Sequence, residues 1–332
     1  MAMIETINLT KEFGTLTALN NLNLTIQEGD CFGFIGPNGA GKTTTIRILA
    51  TLLKPTRGQA IIDGHTVGYQ NRQIRPIIGY VPDFMGSYED MVVTEYLEFF
   101  AAAYNIHGAQ RRKVVQDVLE LTDLGYKANA EVNSLSRGMQ QRLSVARVLL
   151  HDPKVLLMDE PASGLDPRAR IEMRELLKEL KRMGKTIIIS SHILHELAEL
   201  CNVVGIIERG NLLFSGSVRD AMRRARVEHA VHVAVAERTE EAAQLLHQTP
   251  GVKRITIVEE ESAWLDAEIS GRSGGGSFRR PVLHLTFEES ALHTVTDVPN
   301  RLINAGFRLV HFSEEKVNLE TAFMRLTQGL VQ

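Results

Sequence analysis

The sequence predicts an α/β fold followed by a small α+β domain of ferredoxin-like order. Three observations carry this expectation: short apolar runs that end in polar residues, amphipathic helical stretches between them, and one glycine-rich turn set between such a run and a helix. The chain has 332 residues, more than one core usually supports, so two domains are expected.

The glycine-rich turn is Gly36-Pro37-Asn38-Gly39-Ala40-Gly41-Lys42-Thr43. It fits G-x-x-x-x-G-K-[ST], in which glycine-permitted turns aim backbone N–H groups at a β-phosphate. In that pattern Lys42 reaches the β- and γ-phosphates and the Thr43 hydroxyl binds Mg²⁺. The flanks supply the context: Asp30 to Ile35 is predicted as a buried strand, and Thr44 to Leu53 as a helix whose N-terminus faces the nucleotide. A dinucleotide-binding fold fits less well, because Lys42-Thr43 occupies the helix start and the spacing is not G-x-G-x-x-G.

Hydrophobic residues make up 44%, charged residues 23%, and the net charge is −3, which gives no general attraction to nucleic acid or anionic lipid. The two cysteines, Cys31 and Cys201, lack metal-site spacing and are expected as small buried apolar residues in a reducing cytosol. No apolar run approaches a bilayer span and the first residues, MAMIETINLTKEF, lack a signal-peptide core, so work at a membrane requires an anchoring partner.

A second cluster narrows the chemistry. Leu135-Ser136-Arg137-Gly138-Met139 opens a helical pattern that stops at Pro153, and Val155-Leu156-Leu157-Met158 then runs into Asp159-Glu160-Pro161. A buried strand carries Asp159 to the sheet edge where ligands bind in open parallel sheets. Asp159 there can hold Mg²⁺, and Glu160 is placed to orient or deprotonate an attacking water. The plainer alternative is a strand end and a capped turn before Pro161. Ser163-Gly164-Leu165-Asp166-Pro167 is a turn ahead of a helix over Arg168–Met183. Lys185 to His192 is another buried strand, ending in a histidine able to donate to a γ-phosphate. The set His192, His195 and Glu196 fits no zinc spacing. Val81-Pro82-Asp83 ends a strand begun at Ile77.

With these motifs in this order, the chain resembles the ATP-binding subunit of an ABC-type transporter, of the drug- or polymer-exporting subtype, across about residues 3–220. The resemblance implies an ABC-type phosphate-loop ATPase domain at 1–220 with a helical subdomain at about 84–135. A linker at 221–228 and a C-terminal accessory or regulatory domain at 229–332 follow. It implies that Phe13 stacks on adenine, and that Gly36, Pro37, Asn38, Gly39, Ala40, Gly41, Lys42, Thr43 and Thr44 cradle the phosphates. Thr43, Asp83 and Asp159 hold Mg²⁺. Glu160 is the catalytic acid–base group and His192 the switch histidine. Ser136, Arg137, Gly138 and Met139 form the signature, and Asp166 belongs to the D-loop. Family members commonly have Gln in place of Asp83 and LSGGQ in place of Leu-Ser-Arg-Gly-Met. Ser136 and Gly138 keep a hydroxyl and a close-approaching N–H; Arg137 either strengthens phosphate contact or points to solvent.

One copy supplies no evident residue to cover the γ-phosphate's outer face. In the family the signature of a second copy, or of a homologous ATPase subunit, does so, and two subunits close head-to-tail over two ATP molecules. The motion is passed to an integral-membrane permease, which places the protein in the cytoplasm, peripheral on the inner membrane face; no nucleic acid partner is expected. Two rival readings are an importer ATPase, which shares every nucleotide motif, and a soluble non-transport ABC ATPase.

Between the two clusters, Met91–Tyr104 and Arg111–Leu121 show helical apolar spacing. The family reading is a permease-docking groove, with Tyr88 and Glu89 as contacts; Phe99 and Phe100 fit ordinary core as well. Arg111-Arg112-Lys113 is expected as a solvated helix face. Beyond the basic run Arg219–Arg226, strands at His229–Ala236, Val252–Val258, Val282–Phe287 and Phe307–Phe312 alternate with helices at Thr239–His247 and Ala291–Ala305. That βαββαβ order predicts a ferredoxin-like sandwich, with a flexible loop at Glu268–Arg280. The closing segment, Leu319 to Thr327, resembles the tail of drug- and polymer-exporting ABC ATPases.

Overall fold

The computed structural model describes residues 2–84, 86, 91–191, 193–225, 229–261, 279–287, 295–314 and 319–327. The chain divides into two compact units, Met1–Ala225 with Asn318–Gln332, and Arg226–Val317.

The first unit opens with a hairpin, β1 (Ala2–Phe13) and β2 (Leu16–Gln27). Then come β3 (Cys31–Ile35), α1 (Lys42–Leu49), β4 (Arg57–Ile62), β5 (His65–Thr66), α2 (Asn71–Ile74) and β6 (Ile78–Val81). A helical segment contains α3 (Val93–Ala103), α4 (Gly108–Leu121) and α5 (Arg137–Leu149). The unit continues through β7 (Val155–Asp159), α6 (Pro167–Arg182), β8 (Thr186–Ser191), α7 (Leu194–Leu200), β9 (Val203–Glu208), β10 (Asn211–Ser217) and α8 (Val218–Ala225).

Two sheets result: an antiparallel one in the order β2-β1-β4-β5, and a six-stranded one in the order β10-β9-β3-β8-β7-β6. In the second, β9, β3, β8, β7 and β6 are parallel and β10 is an antiparallel edge. Every residue of β3, β7 and β8 is buried, the signature of strands covered on both faces. The period of two sorts their side chains. Cys31, Ile35, Leu156, Met158, Ile187 and Ile189 face the core shared with the helices after α1. Phe32, Phe34, Val155, Leu157 and Ile188 face the core shared with the antiparallel sheet and α1.

Parallel strands send all their C-terminal ends to one edge. The registers Ile35↔Ser191, Asp159↔Ser190 and Val81↔Met158 therefore bring the loop after β3, the acids after β7 and the loop after β6 together.

The helical segment is built as its spacing predicts. Val93, Tyr96, Leu97 and Ala101 of α3 are buried, whereas Phe99 is 57% exposed. Phe100 packs edge-on against Tyr96 and lies under the Arg147 guanidinium. Phe99 and Phe100 thus divide, one outward and one partly inward. Tyr88, Glu89 and His192 lie outside the described residues, as does most of the loop at Glu268–Arg280.

The second unit holds β11 (His229–Val235), α9 (Thr239–His247), β12 (Val252–Glu261), β13 (Arg279–Phe287), α10 (Asp297–Asn304) and β14 (Leu309–Glu314). Its sheet is antiparallel in the order β12-β13-β11-β14, the strand order of the expected ferredoxin-like sandwich. Val231, Val233, Leu283, Leu285 and Phe287 pack against Ala242 and Leu246 of α9 and Val298 and Leu302 of α10. The last helix, α11 (Leu319–Leu326), belongs with the first unit. The 229–332 domain expected from the sequence therefore gives up its final helix to the cassette.

Candidate active site

The loop between β3 and α1 is shaped by its glycines. Gly41 takes φ of 110°, and a β-carbon there would stand 2.7 Å from the Ala18 carbonyl oxygen, so both conformation and space demand glycine. Because Gly41 offers no side-chain cap, the first amides of α1 remain free for an anion. Residues 38–44, with Asp83, Glu160 and Ser163, line a cavity of about 530 Å³.

Lys42 is buried. Its ammonium donates to the Gly36 and Pro37 carbonyls at 2.7 and 3.2 Å and stands 3.8 Å from Glu160 Oε1. Burial pushes its pKa below the ordinary lysine value, against the pull of Glu160 and Asp159. Thr43 Oγ1 donates to Asp159 Oδ1 at 2.9 Å, joining the phosphate loop to the end of β7.

Ser190 completes the arrangement, and sequence reasoning missed it. Its hydroxyl donates to Asp159 Oδ1 at 2.7 Å and accepts from the Glu160 amide at 2.9 Å, locking both acids to β8. The available signal was a serine pair closing a strand whose middle, Ile187-Ile188-Ile189, is apolar. Glu160 itself has φ of 50°, a left-handed conformation that non-glycine residues rarely adopt. Such strain persists only where the surroundings fix it, and it collects at functional positions.

Asp159 and Glu160 thus lie beside the phosphate loop, as the motif spacing predicts. Asp83 lines the same cavity. Ser136, Gly138 and Met139 do not line it. Ser136 caps α5, accepting from the Met139 amide at 3.3 Å, and Gly138 packs so tightly on α6 that a β-carbon would stand 2.6 Å from Ala169 Cβ. Asp166 caps α6, its Oδ1 accepting from the Ala169 amide at 3.0 Å. Phe13 ends β1 at 47% exposure, with the Lys11 ammonium 4.9 Å from its ring centre.

A phosphate loop on a parallel sheet, with a threonine-bound aspartate and an adjacent strained glutamate, defines a phosphate-loop nucleoside triphosphatase. The ABC transporter family model matches residues 19–163. Nod factor export ATP-binding protein I of Cupriavidus pinatubonensis is 40% identical over 219 residues, covering 66% of this chain and 67% of that protein. Bacitracin transport ATP-binding protein BcrA of Bacillus licheniformis is 42% identical over 212 residues, covering 64% and 68%. Among solved structures, a dimeric bacterial ABC transporter cassette aligns with a TM-score of 0.59 and 30% identity, covering 65% of this chain and 98% of its own. The ATP-binding subunit of an ABC transporter aligns with a TM-score of 0.61 and 28% identity, covering 67% and 92%. The chain belongs to the ABC transporter ATP-binding family, and its cassette is an ATP-binding ATPase domain. No helix among the described residues is long and apolar enough to cross a membrane.

Proposed function

We propose that this chain is the ATP-hydrolysing subunit of an ABC exporter, with two copies closing over two ATP molecules and driving a separate membrane permease. The observation that carries the reading is the junction of Lys42, Thr43, Asp159 and Glu160 at one sheet edge. Ser136, Gly138 and Met139 of the signature do not line their own chain's cavity. Among the described residues, those lining the cavity come from the phosphate loop and the segments around Asp83 and Glu160–Ser163, and a second copy is proposed to cover the open side; two solved cassettes similar to this chain are dimeric.

Thr43 Oγ1 and Asp159 offer a hydroxyl and a carboxylate, the oxygen donors Mg²⁺ prefers, so the residues fit that ion. Thr43, Asp159 and Asp83 would hold it, and when bound it would offset the charge of the phosphates. Lys42 binds and orients the terminal phosphates. Glu160 holds the attacking water and takes its proton. His192, at the end of the β8 segment, is proposed as the γ-phosphate sensor, Phe13 as the adenine platform and Asp166 as part of the subunit contact.

Export is favoured over import by the names of the relatives, which are export and antibiotic-transport subunits, and by the resemblance of the tail. Phe84 and Phe99, 73% and 57% exposed, are the proposed docking surface for a cytoplasmic helix of the permease, which keeps the subunit at the inner membrane face. The test is co-purification with a multi-span partner followed by ATP-driven transport in vesicles. Movement of cargo toward the nucleotide side would reverse the direction, and association with ribosomes in place of a permease would reject the transporter assignment.

A further inference from the structure

Arg137 begins α5 and Asp83 follows β6, and Arg137 Nη2 lies 3.9 Å from Asp83 Oδ1. A second tie runs beside it: Gln141 Nε2, one turn further along α5, donates to the Pro82 carbonyl at 3.4 Å. On its other side the guanidinium lies against Gly164, where a β-carbon would stand 2.5 Å from Nη1. Arg137 therefore bridges the loop after β6 and the turn before α6, while Asp83 itself lines the phosphate cavity. A glutamine at 83 with a glycine at 137 could not form this contact.

Both side chains are about half exposed, so the pair is weakly held and readily exchanged for a stronger one. A divalent cation entering the cavity is the larger counter-charge for Asp83. The geometry points to a nucleotide-sensitive latch within one chain. Mg²⁺-nucleotide draws the Asp83 carboxylate away from Arg137, and the freed guanidinium turns to the terminal phosphate held by the second copy. The inference rests on the ATP-driven dimer proposed above.

The test uses the full-length chain, a fluorescent ATP analogue, and protein dilute enough that light scattering shows single copies. Parent, Arg137→Ala, Asp83→Ala and the double variant are compared with Mg²⁺ and with EDTA, after matched thermal melts confirm folding. Arg137→Ala should tighten Mg²⁺-nucleotide binding about fivefold, the low end of coupling between linked sites. It should change nothing in the Asp83→Ala background or in EDTA. Equal effects in both backgrounds, or with and without Mg²⁺, overturn the latch. A parent chain that binds no nucleotide would sink the ATPase reading itself, whereas normal binding beside additive variants sinks the latch alone. In a Glu160→Gln, Asp83→Ala chain, where the latch is already absent, adding Arg137→Ala should raise the ATP needed for dimerisation about fivefold; an unchanged requirement there removes Arg137 from the second copy's phosphate.

Discussion

Gly138→Ala separates two roles that a glycine in the signature can play. The added methyl would stand 2.6 Å from Ala169 Cβ, whereas carbons pack at about 3.5–4.0 Å. The neighbour cannot swing aside, because Ala169 Cβ is fixed to the backbone of α6. One helix start must move by about 1 Å, the kind of overpacking that costs about 1–3 kcal/mol. In a unit of this size each kcal/mol lowers Tm by about 2–4 °C. The displacement also reaches the turn before α6, since Asp166 caps that helix through the Ala169 amide. Differential scanning calorimetry and steady-state ATPase rates are measured on Gly138→Ala and on Gly138→Ala with Ala169→Gly. The double variant removes the clash at about 1 kcal/mol of helix propensity. Recovery of both Tm and rate makes packing the whole role of the glycine. Recovery of Tm alone means the methyl also obstructs the second copy's nucleotide. An unchanged Tm in the single variant would refute the clash.

Glu160→Gln should keep nucleotide binding, lower turnover about 10²–10⁴-fold and trap an ATP-bound dimer in size exclusion; a parent-like rate would remove Glu160 from water activation. Lys42→Met should lose about 1.5–3 kcal/mol of ATP affinity by titration calorimetry. The same substitution has a pH signature. The folded pKa of Lys42 is lowered, so between it and 10.5 the unfolded chain binds the proton that the folded chain has shed. Parent stability should therefore gain on that of Lys42→Met as pH rises through this window; parallel stability–pH curves would contradict the burial argument. Ser190→Ala removes partners of both acids and should cost about 1–3 kcal/mol of transition-state stabilisation, read as a fall in kcat; an unchanged kcat would make Ser190 dispensable.

What the sequence showed, and what it hid, follows from the range of each interaction. The phosphate loop, the acids after β7 and the strands around them are local patterns, and their placement at one edge follows from parallel topology. Boundaries shifted where backbone conformation overrode composition: α1 starts at Lys42, two residues before Thr44, because the left-handed Gly41 closes the loop directly ahead of it. Contacts across the sheet were illegible. Cys31 and Cys201 are 170 residues apart, yet their sulfurs lie 3.6 Å apart in the core, where contact with Cys31 and burial push the Cys201 thiol well up. Arg142, in the middle of a helix expected from its apolar spacing, is buried. It donates to the Thr122 carbonyl at 3.0 Å and pairs with Glu172 at 3.2 Å, tying α5 to α6 and to the end of α4. A charged residue on an apolar face gives no hint of which distant carboxylate receives it.

The final helix shows the same limit from the other side. Leu319 and Phe323 lie four residues apart, so they share one face of α11; Leu319 is buried and Phe323 partly so in the larger core of the cassette. Met324, on another face, is 67% exposed. This is the pattern of a helix docked along one stripe, and its neighbours are α8 and α7. The chain leaves the cassette after Ala225 and returns at Asn318, so the 226–317 unit is an excursion between two helices that touch. The amphipathic period shows that α11 must bury a face. Nothing in it says that the burial occurs on the cassette, because the deciding partner is the face of α7 and α8, itself formed only once β8, β9 and β10 have brought those helices to the sheet.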